Sequence, residues 1–272
     1  MARSDGDRLL SKVPQVTLVF WLVKICATTV GETGGDAMSM SLNLGYAVST
    51  LIFLAFFVVA LAAQLTAKRY HAWIYWLVVI ATTTVGTTTS DFLDRTAGLG
   101  YVKSTAVELA AVIGMLIIWR FATGKIAVDH IIDRRNETLY WVTILISNTL
   151  GTALGDFTAD DELGGLGLGF ETGALIFVGL LALVVAARFF TRIAPAVLFW
   201  AAYVLTRPLG ATLGDTITKP VAQGGLNLDR FVATAAIAAA MVLILVVSHW
   251  RRKGANPNPS PRGAGRGPPQ AG

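Results

Sequence analysis

The apolar residues of this chain come in long runs broken by short polar connections. Eight such runs predict helices at about 14–31, 46–65, 73–88, 102–121, 139–154, 169–187, 195–213 and 231–250. Roughly 20 apolar residues suffice to cross a bilayer as a helix, so the fold class expected is an all-α membrane protein of eight transmembrane helices. Some odd-numbered runs are short. They reach full width only if the helix continues into the polar, threonine-rich stretch that follows. Hydroxyls and irregular backbone at that depth are tolerated only against protein or a wet cavity, so these ends are expected to converge.

The same ends carry a repeat. Phe20-Trp21 leads to Gly31 through Asp36, Tyr75-Trp76 to Gly86 through Asp91, Tyr140-Trp141 to Gly151 through Asp156, and Phe199-Trp200 to Gly210 through Asp215. All four obey [Phe/Tyr]-Trp-x9-Gly-x3-[Gly/Ser]-Asp without a gap. A period of this kind fixes the architecture before any other reading. It divides the chain into a short N-terminal segment, 1–12, a membrane domain, 13–253, and a Pro/Gly/Arg tail, 254–272, whose composition reads as disordered. The repeats fall at about 14–69, 70–135, 136–192 and 193–253.

Charge sets the orientation. Basic residues cluster before the first run (Arg3, Arg8, Lys12), in every second connection (Lys68, Arg69 and His71; Lys125, His130, Arg134 and Arg135; Arg188 and Arg192) and after the last (Arg251, Arg252, Lys253). The alternate connections are mostly acidic. The positive-inside rule then places both termini in the cytoplasm, and the four repeats are expected to be helical hairpins of the same orientation, as parallel repeats are. A pseudo-fourfold ring and two halves of two repeats both satisfy this pattern.

Composition agrees, with 54% hydrophobic and 14% charged residues. The net charge of +5 sits at span ends and in the tail, which argues against a nucleic-acid partner. The single cysteine, Cys26, forms no internal disulfide and reads as a small buried apolar residue. The three histidines lie at cytoplasmic edges, so no His/Cys metal cluster or Ser-His-Asp arrangement is expected, and the chain reads as a non-enzyme without cofactor. Gly164-Gly165-Leu166-Gly167-Leu168-Gly169 reads as a flexible outer link, not a phosphate loop.

Gly31, Gly35, Gly86, Gly151, Gly155, Gly210 and Gly214 form i, i+4 small-residue faces that let helices approach closely, with Ser90 completing the second pair. Asp36, Asp91, Asp156 and Asp215 follow directly, at helix C-termini whose dipole disfavours anions. Brought together, four carboxylates need protons, basic side chains or a cation to neutralise them. Hard divalent cations prefer carboxylate and hydroxyl oxygen. The copies differ in charge. Glu32 stands where the others have Thr87, Thr152 and Ala211; Lys24 where they have Val79, Ile144 and Tyr203; Arg207 where they have Thr28, Thr83 and Asn148. A mid-span charge is a functional hypothesis by default. Lys24 lies ~12 Å below Glu32 on one helix, so its partner is expected from another helix, with Glu108 and Glu171 the candidates; both would also tune the charge of the group.

Lys12-Val13-Pro14-Gln15-Val16-Thr17-Leu18, Phe20-Trp21 with Lys24, and the run from Thr28 to Asp36 resemble a bacterial family of uncharacterised membrane-anchored proteins with repeated Gly-Asp motifs; Thr206 to Asp215 is similar to its second signature. The resemblance covers most of 12–250 and implies a multi-pass protein of the bacterial inner membrane, without a settled activity. A looser likeness to Ca²⁺/Mn²⁺–proton exchangers fails in spacing at Glu32 and Asp36 and in lacking a basic residue at Ala37.

The function expected is secondary transport of a small cation, divalent and proton-coupled, at Asp36, Asp91, Asp156, Asp215 and Glu32, with Lys24, Arg207, Glu108 and Glu171 adjusting charge. Asp36 is expected to matter most and Asp91 least. The rival reading is a non-transporting membrane scaffold or accessory subunit. The partners expected are the lipid bilayer, the cation and protons; the sequence leaves the oligomeric state open.

Overall fold

The computed structural model describes residues 14, 16–124, 126, 131 and 133–254, with side chains to Arg251. The terminal segments 1–12 and 255–272, and Lys125 and His130, lie outside the described residues. The described chain is helical: α1 (Leu18–Asp36), α2 (Gly45–Thr66), α3 (Ala72–Asp91), α4 (Gly100–Thr123), α5 (Arg134–Ala159), α6 (Phe170–Phe190), α7 (Pro195–Thr218) and α8 (Arg230–Gly254). Each odd helix runs through its Gly-x3-[Gly/Ser] segment to the aspartate or beyond, as the short apolar runs required. After Asp36 and Asp91 the chain widens into π-helical turns, Ala37–Ser41 and Phe92–Thr96, before turning back.

The local signals are conventional. The Thr17 hydroxyl accepts from Phe20 N at 3.4 Å and caps α1, Asp133 accepts from Asn136 N at 2.8 Å and caps α5, and Pro195 opens α7, where a missing N–H costs nothing. The threonines of α1 and α3 donate to carbonyls three or four residues back, as Thr29 does to Ile25 O at 2.9 Å and Thr88 to Thr84 O at 3.1 Å. This satisfies hydroxyls that burial would otherwise strand.

The four odd helices close a ring: α1 packs on α3, α3 on α5, α5 on α7, and α7 on α1. The contacts repeat with the sequence. Gly31 faces Thr83, Gly86 faces Asn148, Gly151 faces Arg207, and Gly210 faces Thr28, so each glycine meets the residue three positions before the equivalent glycine of the next copy. Ring pairs at the other end follow suit: Phe20 with Trp76 at 5.5 Å, Tyr75 with Trp141 at 5.3 Å, Tyr140 with Trp200 at 6.3 Å, and Phe199 with Trp21 at 5.8 Å. Equivalent contacts at both ends make the odd helices parallel and the ring pseudo-fourfold.

The even helices lie outside this ring, and each packs mainly on the next copy's first helix: α2 on α3, α4 on α5, α6 on α7, and α8 back on α1. A repeat is therefore a helix pair opened to interlock with its neighbour, not a hairpin closed on itself. Five of the described helices, α2, α4, α6, α7 and α8, are long and apolar enough to cross a membrane. The most apolar window of α2 is only 17% buried, against 56% for α7. The even helices thus present bare apolar faces, such as Leu51, Val59, Leu175 and Leu183, while the ring interior takes the polar residues.

The glycine-rich link after α5 does not hang free, contrary to the expectation from its composition. Leu166 N, Leu168 N and Gly169 N donate to Phe157 O, Thr158 O and Ala159 O at 2.7, 3.2 and 3.0 Å. The glycines let the loop fold back on carbonyls that the helix end leaves open.

Candidate functional site

The ring interior is built in rungs, one per equivalent position. At the end where the odd helices begin lies the aromatic belt, in which Tyr75 and Tyr140 share a hydroxyl–hydroxyl bond of 2.9 Å. Above it stand Lys24, Val79, Ile144 and Tyr203, all buried. Lys24 Nζ lies 4.3 Å from the centre of the Tyr203 ring. Its partner does come from another helix, but it is an aromatic face, a cation–π contact. Neither Glu108 nor Glu171 supplies it. Glu171 is exposed at the start of α6, and Glu108 is buried on α4 with both carboxylate oxygens free of hydrogen bonds, under the charges of Asp94 and Arg207.

One turn higher stand Thr28, Thr83, Asn148 and Arg207, joined round the ring. The Thr83 hydroxyl donates to Ala27 O at 3.1 Å, Asn148 Nδ2 to Thr82 Oγ1 at 3.0 Å, and the Thr28 hydroxyl to Thr206 O at 3.2 Å. Arg207 breaks the rule. Its Nη2 reaches the next rung and donates to Glu32 Oε2 at 2.9 Å, Thr87 Oγ1 at 2.5 Å and Thr152 Oγ1 at 2.7 Å. Thr87 also donates to Glu32 Oε2 at 3.2 Å. So three of the four equivalents of position 32 hold the one guanidinium, and the fourth is Ala211.

The four repeat aspartates form the last rung, all buried. Glu32, Asp156 and Asp215 each offer an oxygen within 4.8 Å of the others. Basic side chains stand beside the rung. Arg95 lies 3.5 Å from Asp91, 4.0 Å from Asp156 and 3.5 Å from Asp160. Lys219 lies 3.5 Å from Asp215 and 3.9 Å from Asp36, and Arg230 lies 3.6 Å from Asp36. Asp36 Oδ2 and Asp215 Oδ1 accept no hydrogen bond, so these cations hold them by charge and not by directed bonds. Burial alone would lower the Lys219 ammonium, but Asp215, Asp36 and Asp156 hold it above its ordinary value.

Sequence reasoning named the carboxylates, Lys24 and Arg207, but passed over the neutralising set. A signal existed: Arg95 and Lys219 stand four residues after Asp91 and Asp215, one turn on along the same side of the helix. Arg230 comes from α8, which packs on α1 only through closure of the ring, and no local pattern announces it. Beyond the rung, Ser104 donates to Asp94, and Tyr101 donates to Asp160 at 2.8 Å while accepting from Arg95 at 2.7 Å, tying α4 to the mouth.

Four segments, 19–70, 74–125, 139–194 and 198–254, match the model of a family described as Repeat of Unknown Function (DUF347). No curated protein and no solved structure matches the chain.

Proposed function

We propose that the chain, which belongs to this family of repeats of unknown function, is a secondary transporter of a small cation, divalent and proton-coupled, acting in the bacterial inner membrane. All eight helices span the bilayer in this reading, with both termini in the cytoplasm. The helices that look too polar to span, α1, α3 and α5, are shielded by the ring and by the even helices around it.

The observation that carries the reading is the trio Glu32, Asp156 and Asp215, drawn from three helices to within 4.8 Å inside the ring. Buried carboxylates at that spacing, with threonine hydroxyls alongside, are the ligand set hard cations prefer. Arg207 and Lys219 act as tethered counter-charges. An arriving cation takes the place of Lys219 at Asp215 and loosens Arg207 from Glu32; the displaced positive charge favours loss of protons elsewhere in the rung.

Purified protein in proteoliposomes carrying a manganese-sensitive dye tests this. Flux of manganese driven by a proton gradient is expected, and Asp215→Asn should abolish it while leaving a monodisperse protein. Wild type that moves neither manganese, calcium, magnesium nor protons sinks the reading. A scaffold then stands in its place. The observation favouring that rival is that each repeat aspartate lies within 4.0 Å of Arg95, Lys219 or Arg230, so the mouth achieves near-neutrality without an ion.

A further inference from the structure

Below the Glu32 ion pair the ring interior holds buried donors that lack a hydrogen-bond acceptor. Lys24 Nζ is fully buried and has no hydrogen-bond partner among the described residues. The charged group that acts on it is Arg207, of the same sign. Arg207 commits only Nη2 to Glu32, Thr87 and Thr152; its Nε and Nη1, equally buried, have no partner.

The pseudo-symmetry adds a third. Around the ring, the side chain at each equivalent of position 28 donates to the preceding copy's equivalent of position 27. The fourth such bond would run from residue 207 to Ser147. Arg207 has turned up toward Glu32, and Ser147 Oγ, 2% exposed as a residue, is left without a partner. Arg207 still packs its stem on Gly151, one turn from Ser147 on α5.

Ammonium, guanidinium and hydroxyl can all donate, and the first two cannot accept. Glu32 is the carboxylate that Arg207 reaches by hydrogen bond, Glu108 acts on Arg207 only through space from α4, and Lys24 has the Tyr203 face but no carboxylate bonded to it. Buried charge without compensation is costly, more so in a bilayer. We propose that Lys24, Arg207 and Ser147 form a site for one small monovalent anion of the halide class, held inside the ring between the Tyr203 rung and the Glu32 ion pair. The size limit comes from the walls. Val79 and Ile144 fill two positions of the Lys24 rung with apolar side chains, and Tyr203, in the remaining one, adds a single unpartnered hydroxyl. The site shares Arg207 with the Glu32 ion pair, and halide binding is read directly, without cation flux.

The test uses the full chain in detergent, in sodium chloride, bromide or gluconate at equal ionic strength. Chloride and bromide should raise the melting temperature saturably, by on the order of 3–6 °C at ten times the dissociation constant, relative to gluconate. Lys24→Met should remove the halide dependence, and Ser147→Ala should shift its midpoint to higher halide. Equilibrium binding of radioactive chloride to wild type, displaced by bromide but not gluconate, keeps the proposal testable if Lys24→Met fails to fold. Equal melting in chloride and gluconate overturns it, as does chloride retention that bromide does not displace or a halide shift that survives Lys24→Met.

Discussion

Arg207 on α7 and Glu32 on α1 form an ion pair of 2.9 Å, with side chains 0% and 4% exposed, across the seam where the fourth repeat meets the first. This pair closes the ring with a charge-assisted bond, while Thr83 and Asn148 bond across the α1–α3 and α3–α5 seams and Arg207 itself donates to Thr152 across the α5–α7 seam. Removing one member of a buried pair leaves the other uncompensated, at a cost of about 3–5 kcal/mol. Arg207→Met and Glu32→Gln should each destabilise the protein on this scale, and the double variant should cost clearly less than their sum. Denaturant unfolding of the four proteins in detergent gives the coupling. Additive losses would mean that the pair does not hold the seam.

The glycines divide into two classes that composition alone does not separate. A Cβ on Gly86 would stand 2.9 Å from the Asn148 carbonyl carbon and 3.0 Å from Thr149 N, backbone that cannot step aside. Gly114 and Gly179 have nothing within 4 Å of such a Cβ. Gly86→Ala should therefore destabilise by about 1–3 kcal/mol, while Gly114→Ala and Gly179→Ala should stabilise by about 0.5–1 kcal/mol through helix propensity. Melting temperatures that fall equally for all three would show that the close approaches do not set the cost.

How far this fold is legible from sequence depends on the range of the contacts. Gly31 and Asp36 repeat at fixed spacing in every copy, so the repeat, the close packing and the carboxylates are all readable. The order of the ring is not, because the pairs that define it, Phe20 with Trp76 or Gly210 with Thr28, join residues from different copies. A repeat says that copies resemble each other and not which copies touch. For the same reason α2 cannot be seen from sequence to rest on α3 and not on α1. Lys24 posed a charge problem that suggested a carboxylate; the answer, the Tyr203 ring, occupies the same repeat position and was already named as its equivalent.

Orientation is open to a direct measurement. The basic residues Lys68, Arg69, Arg134, Arg135, Arg188 and Arg192 all flank the ends where the odd helices begin. Reporter fusions after Arg69, Arg135, Arg192 and Lys253 should all report cytoplasm. A periplasmic signal at any one of them overturns the parallel arrangement across the membrane.

The mouth of the ring should respond to acid through Asp160. Burial pushes its carboxyl up, but Glu162 N at 3.0 Å, the Tyr101 hydroxyl at 2.8 Å and the Arg95 charge hold it below its ordinary value. A folded value below the unfolded one, about 3.9, means that the ionised carboxylate contributes stability above that pH and loses it as pH falls through the folded value. The melting temperature of wild type should decline below pH about 4, and Asp160→Asn should show a shallower decline there from a lower starting point. Identical acid profiles would exclude Asp160 from the acid response.

The last prediction concerns the ranking of the repeat aspartates, which the repeat motif alone set with Asp36 first because Glu32 precedes it. The geometry orders them differently. Asp156 and Asp215 share the oxygen trio with Glu32, whereas Asp36 is not in it and faces Lys219 at 3.9 Å and Arg230 at 3.6 Å. Asp91 answers Arg95 at 3.5 Å. If the trio binds the cation, Asp156→Asn, Asp215→Asn and Glu32→Gln should each remove a ligand and reduce flux by at least tenfold, since a charged ligand is worth more than the roughly 1.4 kcal/mol that a factor of ten requires. Asp36→Asn and Asp91→Asn should instead free Lys219, Arg230 or Arg95 to crowd the trio, weakening apparent cation affinity more than maximal flux. Proteoliposome flux measured over a range of manganese concentrations separates the two effects. Equal losses in maximal flux for all five variants would return the aspartates to a single coupled group, and wild-type kinetics in Asp156→Asn and Asp215→Asn would remove the trio from any role in transport.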